Sequence, residues 1–153
     1  MRLDWNRSLQ YIKRMTEFAL YVHYPFCLSR CRYCGFASEV HDDAKAGHYH
    51  RALLKEMEDQ TGKPPWCNGR PRSIYFGGGT PSLLSVGQLD AILSLVHRRY
   101  RIASDAEISL EANPATFGLD EARAWRALGI NRVSLGVQSL DDSMLRTLGR
   151  LHT

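Results

Sequence analysis

The chain has 153 residues, enough for one domain with a hydrophobic core, and 44% of them are apolar while 24% are charged. The net charge is +4, and the basic residues are scattered along the chain except for Arg98, Arg99 and Arg101. These three lie at the end of a predicted helix, where cations complement the helix dipole. We therefore expect no nucleic-acid partner. No signal-peptide core or segment of transmembrane length is visible in the sequence. We therefore expect the four cysteines to lie in a reducing cytoplasm. In that compartment, closely spaced cysteines more often bind metal or do redox chemistry than form disulfides.

Strand-like and helix-like segments alternate four times along the chain. The predicted strands are 18–24, 73–76, 106–112 and 132–137, and the predicted helices are 42–60, one from about 85, one ending at 128 and one over about 141–148. Strands that alternate with helices through short connections are typical of a parallel sheet built from βα units.

Two helix ends are marked by their sequence. Ser85 and Gln88 have the spacing of a capping box, and Leu84 and Leu89 are placed to form a hydrophobic staple around it. Gly129 follows the third helix as a left-handed cap.

The last two predicted strands each have an aliphatic face and a polar or small face. The aliphatic residues are Ile108, Leu110 and Ala112 in the third strand and Val133, Leu135 and Val137 in the fourth. An open doubly wound sheet would be apolar on both faces, because helices cover both. We therefore predict an α/β fold that is a partial (βα) barrel of about four βα units, with helices outside and a polar site inside. Glu111 and Gln138 would point inward at the carboxyl ends of adjacent strands.

The loop after the first strand contains Cys27, Cys31 and Cys34 in a C-x₃-C-x₂-C pattern. Three thiolates in one short loop suit a cubane iron–sulfur cluster in which one iron stays open. An open iron can accept the amino and carboxylate groups of a ligand. Cluster potentials reach roughly −700 mV, low enough for reductive cleavage of a sulfonium.

Two other interpretations of the cysteines stay open. A structural zinc needs a fourth ligand, for which His23 and the distant Cys67 are candidates. A disulfide with one spare thiol is disfavoured because no secretory signal is present. We favour the cluster and interpret Cys67 as a bystander.

Five motifs, taken in order, resemble the radical S-adenosylmethionine (SAM) superfamily. More narrowly, they resemble the group of oxygen-independent coproporphyrinogen III oxidases and heme chaperones. The motifs lie at 21–34, 75–82 (YFGGGTPS), 111–114 (EANP), 136–139 (GVQS) and 148–153 (LGRLHT). The resemblance covers nearly everything from residue 20 onward. It implies the amino-terminal part of a TIM-like radical SAM barrel, a [4Fe-4S] cluster and bound SAM.

The glycine run follows the second strand. Glycines remove side chains from a strand end, so that backbone groups can approach a ligand closely, although a glycine run alone is more often a turn. Its spacing does not match a dinucleotide fingerprint. The resemblance assigns Gly78, Gly79 and Thr80 to the methionine part of SAM.

The resemblance also assigns roles to five further residues. It implies that Tyr21 lines the cofactor site, that Tyr33 packs against the adenine, and that Glu111 and Gln138 form hydrogen bonds with the cofactor. Arg150 matches an arginine that contacts a second bound cofactor in the oxidase, with a surface arginine as the open alternative.

The choice within the group depends on the residue two positions after the third cysteine. The oxidase has a fourth cysteine there, and this chain has Phe36, as the heme chaperone branch does. We therefore expect a protein that binds the cluster and SAM and resembles the chaperone that delivers heme to acceptor proteins. The alternative is a porphyrinogen-oxidising enzyme of coproporphyrinogen dehydrogenase type. A plain structural zinc or iron module is the third hypothesis.

Similar proteins continue beyond the motif in which this chain ends. We therefore expect an amino-terminal extension at 1–17 and a truncated radical SAM core at 18–153, without the remaining barrel units and the carboxyl-terminal domain. Such a chain would hold the cluster loop but bind SAM weakly and lack complete activity. Whether the full-length protein also binds heme is left open by the sequence.

Overall fold

The computed structural model describes residues 17–153, so nearly all of the predicted extension at 1–17 lies outside the described residues. The strands are β1 (Glu17–Tyr24), β2 (Phe26–Cys27), β3 (Glu39–Val40), β4 (Arg70–Gly78), β5 (Glu107–Ala112) and β6 (Arg132–Leu135). The helices are α1 (Asp43–Thr61), α2 (Val86–Arg99), α3 (Leu119–Ala127) and α4 (Asp142–Leu148). Among the described helices, none has both the length and the apolar character that crossing a membrane requires.

The four long strands form one parallel sheet in the order β1-β4-β5-β6. Each of them is followed by a helix, which confirms the four predicted βα units. Parallel strands place all of their carboxyl ends at one edge of the sheet, where folds of this kind keep their chemistry. The loops that follow β1, β4, β5 and β6 therefore meet at that edge.

The two faces of the sheet differ as the sequence predicts. On the aliphatic face, Ile74, Phe76 and Leu110 are completely buried in a core that α2 and α3 complete with Leu89 and Trp125. Burying each large apolar side chain stabilises the fold by about 1.5–3 kcal/mol. The opposite face of these strands carries the side chains of Tyr75, Ser109 and Glu111, and at Gly77 it has no side chain. This polar face corresponds to the predicted interior of the partial barrel.

Strand β6 departs from the expectation. It ends at Leu135, two residues before the predicted end, and Gln138 adopts a left-handed backbone conformation with φ 68°. Val133 and Leu135 are 45% and 48% exposed, although they lie on the aliphatic face. The reason is position: β6 is one of the two edge strands of the sheet, and within residues 17–153 no helix packs extensively against it.

Both predicted helix ends are confirmed. The Gln88 N–H donates to Ser85 Oγ at 3.2 Å, and the Ser85 N–H donates to Gln88 Oε1 at 2.9 Å, which completes the capping box of α2. Leu84 and Leu89 are buried beside it. Gly129 has φ 93° and ends α3 as the left-handed residue.

Candidate cluster and cofactor site

A cleft of about 310 Å³ opens at the carboxyl-terminal edge of the sheet. Ten of the eleven site residues predicted from the sequence line this cleft. They are the three loop cysteines, Tyr33, the strand-end residues Gly78, Gly79 and Thr80, and the polar residues Glu111, Gln138 and Arg150. The parallel sheet thus brings together residues as far apart in the chain as Cys31 and Arg150, which are separated by 119 positions.

The cysteine loop is held at both ends by a short parallel pairing of β2 with β3. The Glu39 N–H donates to Pro25 O, and the His41 N–H donates to Cys27 O, both at 2.8 Å. Inside the loop, the Cys34 N–H donates to Cys31 O at 3.2 Å. The backbone therefore fixes where the loop leaves and rejoins the fold, and it directs the three thiols into the same cleft.

The donor set of this loop fits a cluster. Cys27, Cys31 and Cys34 are free thiols, and each is partly buried at the cleft wall. Within residues 17–153, no three histidine, cysteine or acidic side chains converge as ligands of a single ion would. Cluster ligands stand farther apart, because each thiolate of a cubane bonds a different iron atom. Three soft sulfur donors around one cleft are what a cubane with one open iron needs.

The candidate fourth ligands of a zinc site are placed elsewhere. The Nε2 atom of His23 donates to Ala37 O at 3.0 Å, so its Nδ1 atom accepts from the Tyr21 hydroxyl at 3.0 Å. Both ring nitrogens are therefore already used. Cys67 is exposed in the short 3-10 turn Trp66–Asn68 and does not line the cleft. A closed four-coordinate zinc site thus has no evident fourth ligand among these candidates.

The glycine run lies against the chain that leads to the cysteine loop. The Gly79 N–H donates to Tyr24 O at 2.7 Å, and the Thr80 N–H donates to Phe26 O at 2.8 Å. A Cβ atom on Gly79 would stand 2.8 Å from Phe26 O, closer than real Cβ atoms come to such an atom. Glycine is required here because the two backbones touch, and this part of the cleft floor is therefore formed by backbone atoms.

Glu111 is fixed at this floor by two hydrogen bonds. The Tyr75 hydroxyl donates to Glu111 Oε1 at 2.6 Å, and the Gly78 N–H donates to Glu111 Oε2 at 3.1 Å. The hydrogen bond to Glu111 and, after it, burial raise the pKa of Tyr75 to about 12. The tyrosine therefore stays protonated near neutral pH and keeps donating, while the carboxylate retains acceptor capacity for a ligand.

Tyr21 is the one predicted site residue that does not line the cleft. It stands on β1, 56% exposed, and its ring stacks on Tyr75 with the ring centroids 6.1 Å apart. Burial and, after it, the charge of Glu111 raise the pKa of its hydroxyl. Tyr21 is therefore linked to the cleft through its stacking with Tyr75, whose hydroxyl donates to Glu111.

Arg150 is partly buried, and its guanidinium makes hydrogen bonds to residues around the cleft. Its Nη2 atom donates to Asn113 Oδ1 and, at 2.7 Å, to Gly136 O, while its Nη1 atom donates to Cys31 Sγ at 3.2 Å. The Asn113 amide in turn donates from Nδ2 to Thr80 Oγ1 at 3.0 Å. Asn113 received no role from the sequence, although it stands directly after β5 in the motif that contains Glu111.

Two aromatic side chains stand exposed at the mouth of the cleft. Tyr33 is 51% exposed and Phe36 is 65% exposed, and both belong to the cysteine loop. Gln138 also lines the cleft, from its left-handed position after β6. The mouth therefore offers flat apolar surfaces, and the floor offers the Glu111 carboxylate beside the glycine backbone.

Comparisons with known proteins agree with this geometry. The family model of the radical SAM superfamily matches residues 21–153. The heme chaperone HemW of Escherichia coli strain K12 is 38% identical over 146 residues, covering 91% of this chain and 36% of that protein. The HemW protein of Synechocystis is 42% identical over 141 residues, covering 88% of this chain and 33% of that protein.

A solved structure provides the comparison of folds. The coproporphyrinogen III oxidase of Escherichia coli, described as a radical SAM enzyme, superposes with a TM-score of 0.82 at 33% identity, covering 91% of this chain and 32% of that one. The predicted α/β fold, a part of the radical SAM barrel, is thereby confirmed. The chain spans about a third of the length of each of these relatives.

Proposed function

The chain belongs to the radical SAM superfamily, which implies a [4Fe-4S] cluster and SAM, and on that premise we propose that it resembles the heme chaperone that delivers heme to acceptor proteins. The observation that carries this proposal is the single cleft lined by the cysteine loop, the glycine strand end and Glu111. These three features come from separate strands, and a structural metal module would need only the first of them.

We assign the cluster ligands to Cys27, Cys31 and Cys34. When bound, a cubane with one open iron supplies an electron to the sulfonium of SAM. The residues of the chain itself bind and orient the cofactor. The backbone of Gly78 and Gly79 gives a ligand close approach to the floor, and the Glu111 carboxylate can accept a hydrogen bond from an amino group of the ligand.

The mouth of the cleft suits the remaining predicted roles. The exposed ring of Tyr33 is available to pack against an adenine, because aromatic rings stack favourably at an offset. Gln138 also lines the cleft and offers an amide group for hydrogen bonds, while the Arg150 guanidinium lies against the cysteine loop. The division into an extension at 1–17 and a core at 18–153, and the cytoplasmic location, stay predictions.

Phe36 favours a chaperone over a porphyrinogen-oxidising enzyme. It stands where the oxidase pattern has a further cysteine, and phenylalanine cannot ligate iron. Two relatives at 38% and 42% identity carry the name heme chaperone. The second candidate function is the oxidation of coproporphyrinogen, favoured by the structural similarity to the oxidase. Heme, porphyrinogen and a heme-acceptor protein are the partners that we propose.

The cluster assignment is tested by comparing two cysteine variants after anaerobic reconstitution with iron and sulfide. Cys34→Ala should lose most of the bound iron and acid-labile sulfide, because two thiolates cannot hold a cubane with one open iron. Cys67→Ala is the matched control and should retain both, since Cys67 is exposed outside the cleft. Equal losses in the two variants, or zinc in place of iron and sulfide, would contradict the assignment.

The choice between chaperone and enzyme is tested with the two ligands. The reconstituted chain is mixed with heme, and binding is followed by the shift of the heme absorption band. In a parallel assay it is mixed with coproporphyrinogen, SAM and a reductant. We expect heme binding without consumption of coproporphyrinogen. Consumption of coproporphyrinogen in step with formation of deoxyadenosine would favour the oxidase.

A further inference from the structure

The Arg150 guanidinium makes three hydrogen bonds within the chain, one of them to a predicted cluster ligand. The bond to Cys31 Sγ is 3.2 Å long and joins residues 119 positions apart. The other two, to Asn113 Oδ1 and Gly136 O, come from the same Nη2 atom. Arg150 therefore sits against the cysteine loop without the help of a bound ligand.

Asn113 determines where this guanidinium points. Guanidinium groups only donate, so the amide must present Oδ1 to Arg150, and its Nδ2 atom is then left for Thr80 Oγ1 at 3.0 Å. The orientation of the amide is thus fixed by both partners. A Cβ atom on Gly136 would stand 2.8 Å from Asn113 Oδ1 and 3.5 Å from Arg150 Nη2, so glycine leaves room for the contact.

A cationic donor at a ligand sulfur has a defined effect on a cluster. Reduction adds negative charge, which is shared between the irons and their sulfur ligands. A guanidinium N–H bonded to one of these sulfurs stabilises the reduced form more than the oxidised form, and so raises the reduction potential. Hydrogen bonds between ionised partners are about twice as strong as neutral ones.

We propose that Asn113 is a positioning residue that holds the Arg150 guanidinium against Cys31 Sγ, and that this contact raises the reduction potential of the cluster. This inference rests on the proposed function, since it requires the cluster. It gives Arg150 a role that differs from contact with a second cofactor. The Nε atom of Arg150 is buried without a partner within residues 17–153, so its N–H remains available to a ligand.

The test is a redox titration of the reconstituted full chain, monitored by electron paramagnetic resonance. Asn113→Leu keeps the size of the side chain but removes the acceptor, and Arg150→Met removes the donors. Asn131→Leu is the matched control. Asn131 also makes two side-chain hydrogen bonds, with the Ile108 N–H and Ala106 O, but at the opposite end of β5 and outside the cleft. If Asn113→Leu fails to fold, Asn113→Ser replaces it, because the shorter side chain cannot reach Arg150.

We expect Asn113→Leu and Arg150→Met to lower the midpoint potential by similar amounts, at unchanged iron and sulfide content. The double variant should be no lower than Arg150→Met alone, because Asn113 acts through Arg150, and Asn131→Leu should match the wild type. A wild-type potential in either single variant, or additive shifts in the double variant, would overturn the inference. A wild-type chain that takes up no cluster would instead overturn the proposed function.

Discussion

The Tyr75 hydroxyl donates a hydrogen bond of 2.6 Å to Glu111 Oε1 and thereby joins β4 to β5 at the floor of the cleft. The other carboxylate oxygen accepts from the Gly78 N–H at 3.1 Å. Glu111 is therefore held in one orientation before any ligand arrives. A carboxylate that is already oriented binds a ligand amino group without the entropic cost of ordering its own side chain.

Replacing Glu111 with Gln should weaken SAM binding about tenfold, because a hydrogen bond to a charged group is lost and an amide N–H₂ is turned towards existing donors. Glu107→Gln is the control. Glu107 lies on the same strand and bonds Arg132 and Ser109 away from the cleft, so the SAM affinity should not change. Equilibrium dialysis under nitrogen measures the SAM affinity of both reconstituted variants. Equal affinities of Glu111→Gln and the wild type would contradict the role of Glu111.

Replacing Tyr75 with Phe should lower the free energy of unfolding by about 1 kcal/mol near pH 8, since a partly exposed hydrogen bond to a carboxylate is removed. The pKa of Tyr75 is raised from 10.0 to about 12, first by the bond to Glu111 and then by burial. The stabilisation by this group is therefore complete below pH 10 and is lost as the pH rises through the folded pKa. Urea unfolding at several pH values should show the difference between Tyr75→Phe and the wild type shrinking above pH 10. A constant difference up to pH 12 would be inconsistent with this pKa.

Replacing Gly79 with Ala should destabilise the fold by about 1–3 kcal/mol, because the new Cβ would stand 2.8 Å from Phe26 O and from the Pro25 carbonyl carbon. Gly47→Ala is the matched control. Gly47 lies inside α1, where a Cβ atom meets only the end of the Arg51 side chain at 3.6 Å, so the variant should gain about 0.5–1 kcal/mol. Thermal and urea unfolding measure the stability of the Gly79→Ala and Gly47→Ala variants. A neutral Gly79→Ala would mean that the two backbones can separate without loss of stability.

Replacing Ser85 with Ala should cost about 1 kcal/mol, because the Gln88 N–H at the start of α2 loses its acceptor. Ser94→Ala in the same helix removes only an exposed bond to Asp90 and should stay within about 0.5 kcal/mol of the wild type. Urea unfolding of the two variants provides the measurement. Equal stabilities would show that the capping box does not stabilise this helix.

Much of the fold can be predicted from the sequence because local and long-range signals agree. The capping box at Ser85, the left-handed Gly129 and the alternation in β5 each indicate the element that forms. The end of β6 was predicted two residues too late, because an alternating pattern continues through residue 137 while the backbone already turns. Pattern alone does not reveal which strand lies at the edge of a sheet, and so it does not predict the exposure of Val133 and Leu135.

The site could be predicted as a set of residues but not as a network. The cysteine spacing and the glycine run are local signals, and the parallel sheet brings them to one edge. The contacts of Asn113 with Thr80 and Arg150 join three segments that are distant in the chain, and no periodic sequence pattern predicts them. The position of Tyr21 beside the cleft depends on its stacking with Tyr75, which only the register of β1 and β4 determines.

The most direct measurement is electron paramagnetic resonance of the reduced, anaerobically reconstituted chain, recorded without and with SAM. Binding of SAM to an open iron changes the electronic environment of the cluster. We predict a [4Fe-4S] signal whose g values shift when SAM is added. A cluster signal that stays identical at saturating SAM, or a reduced sample that contains no cluster, would contradict a cofactor site in this cleft.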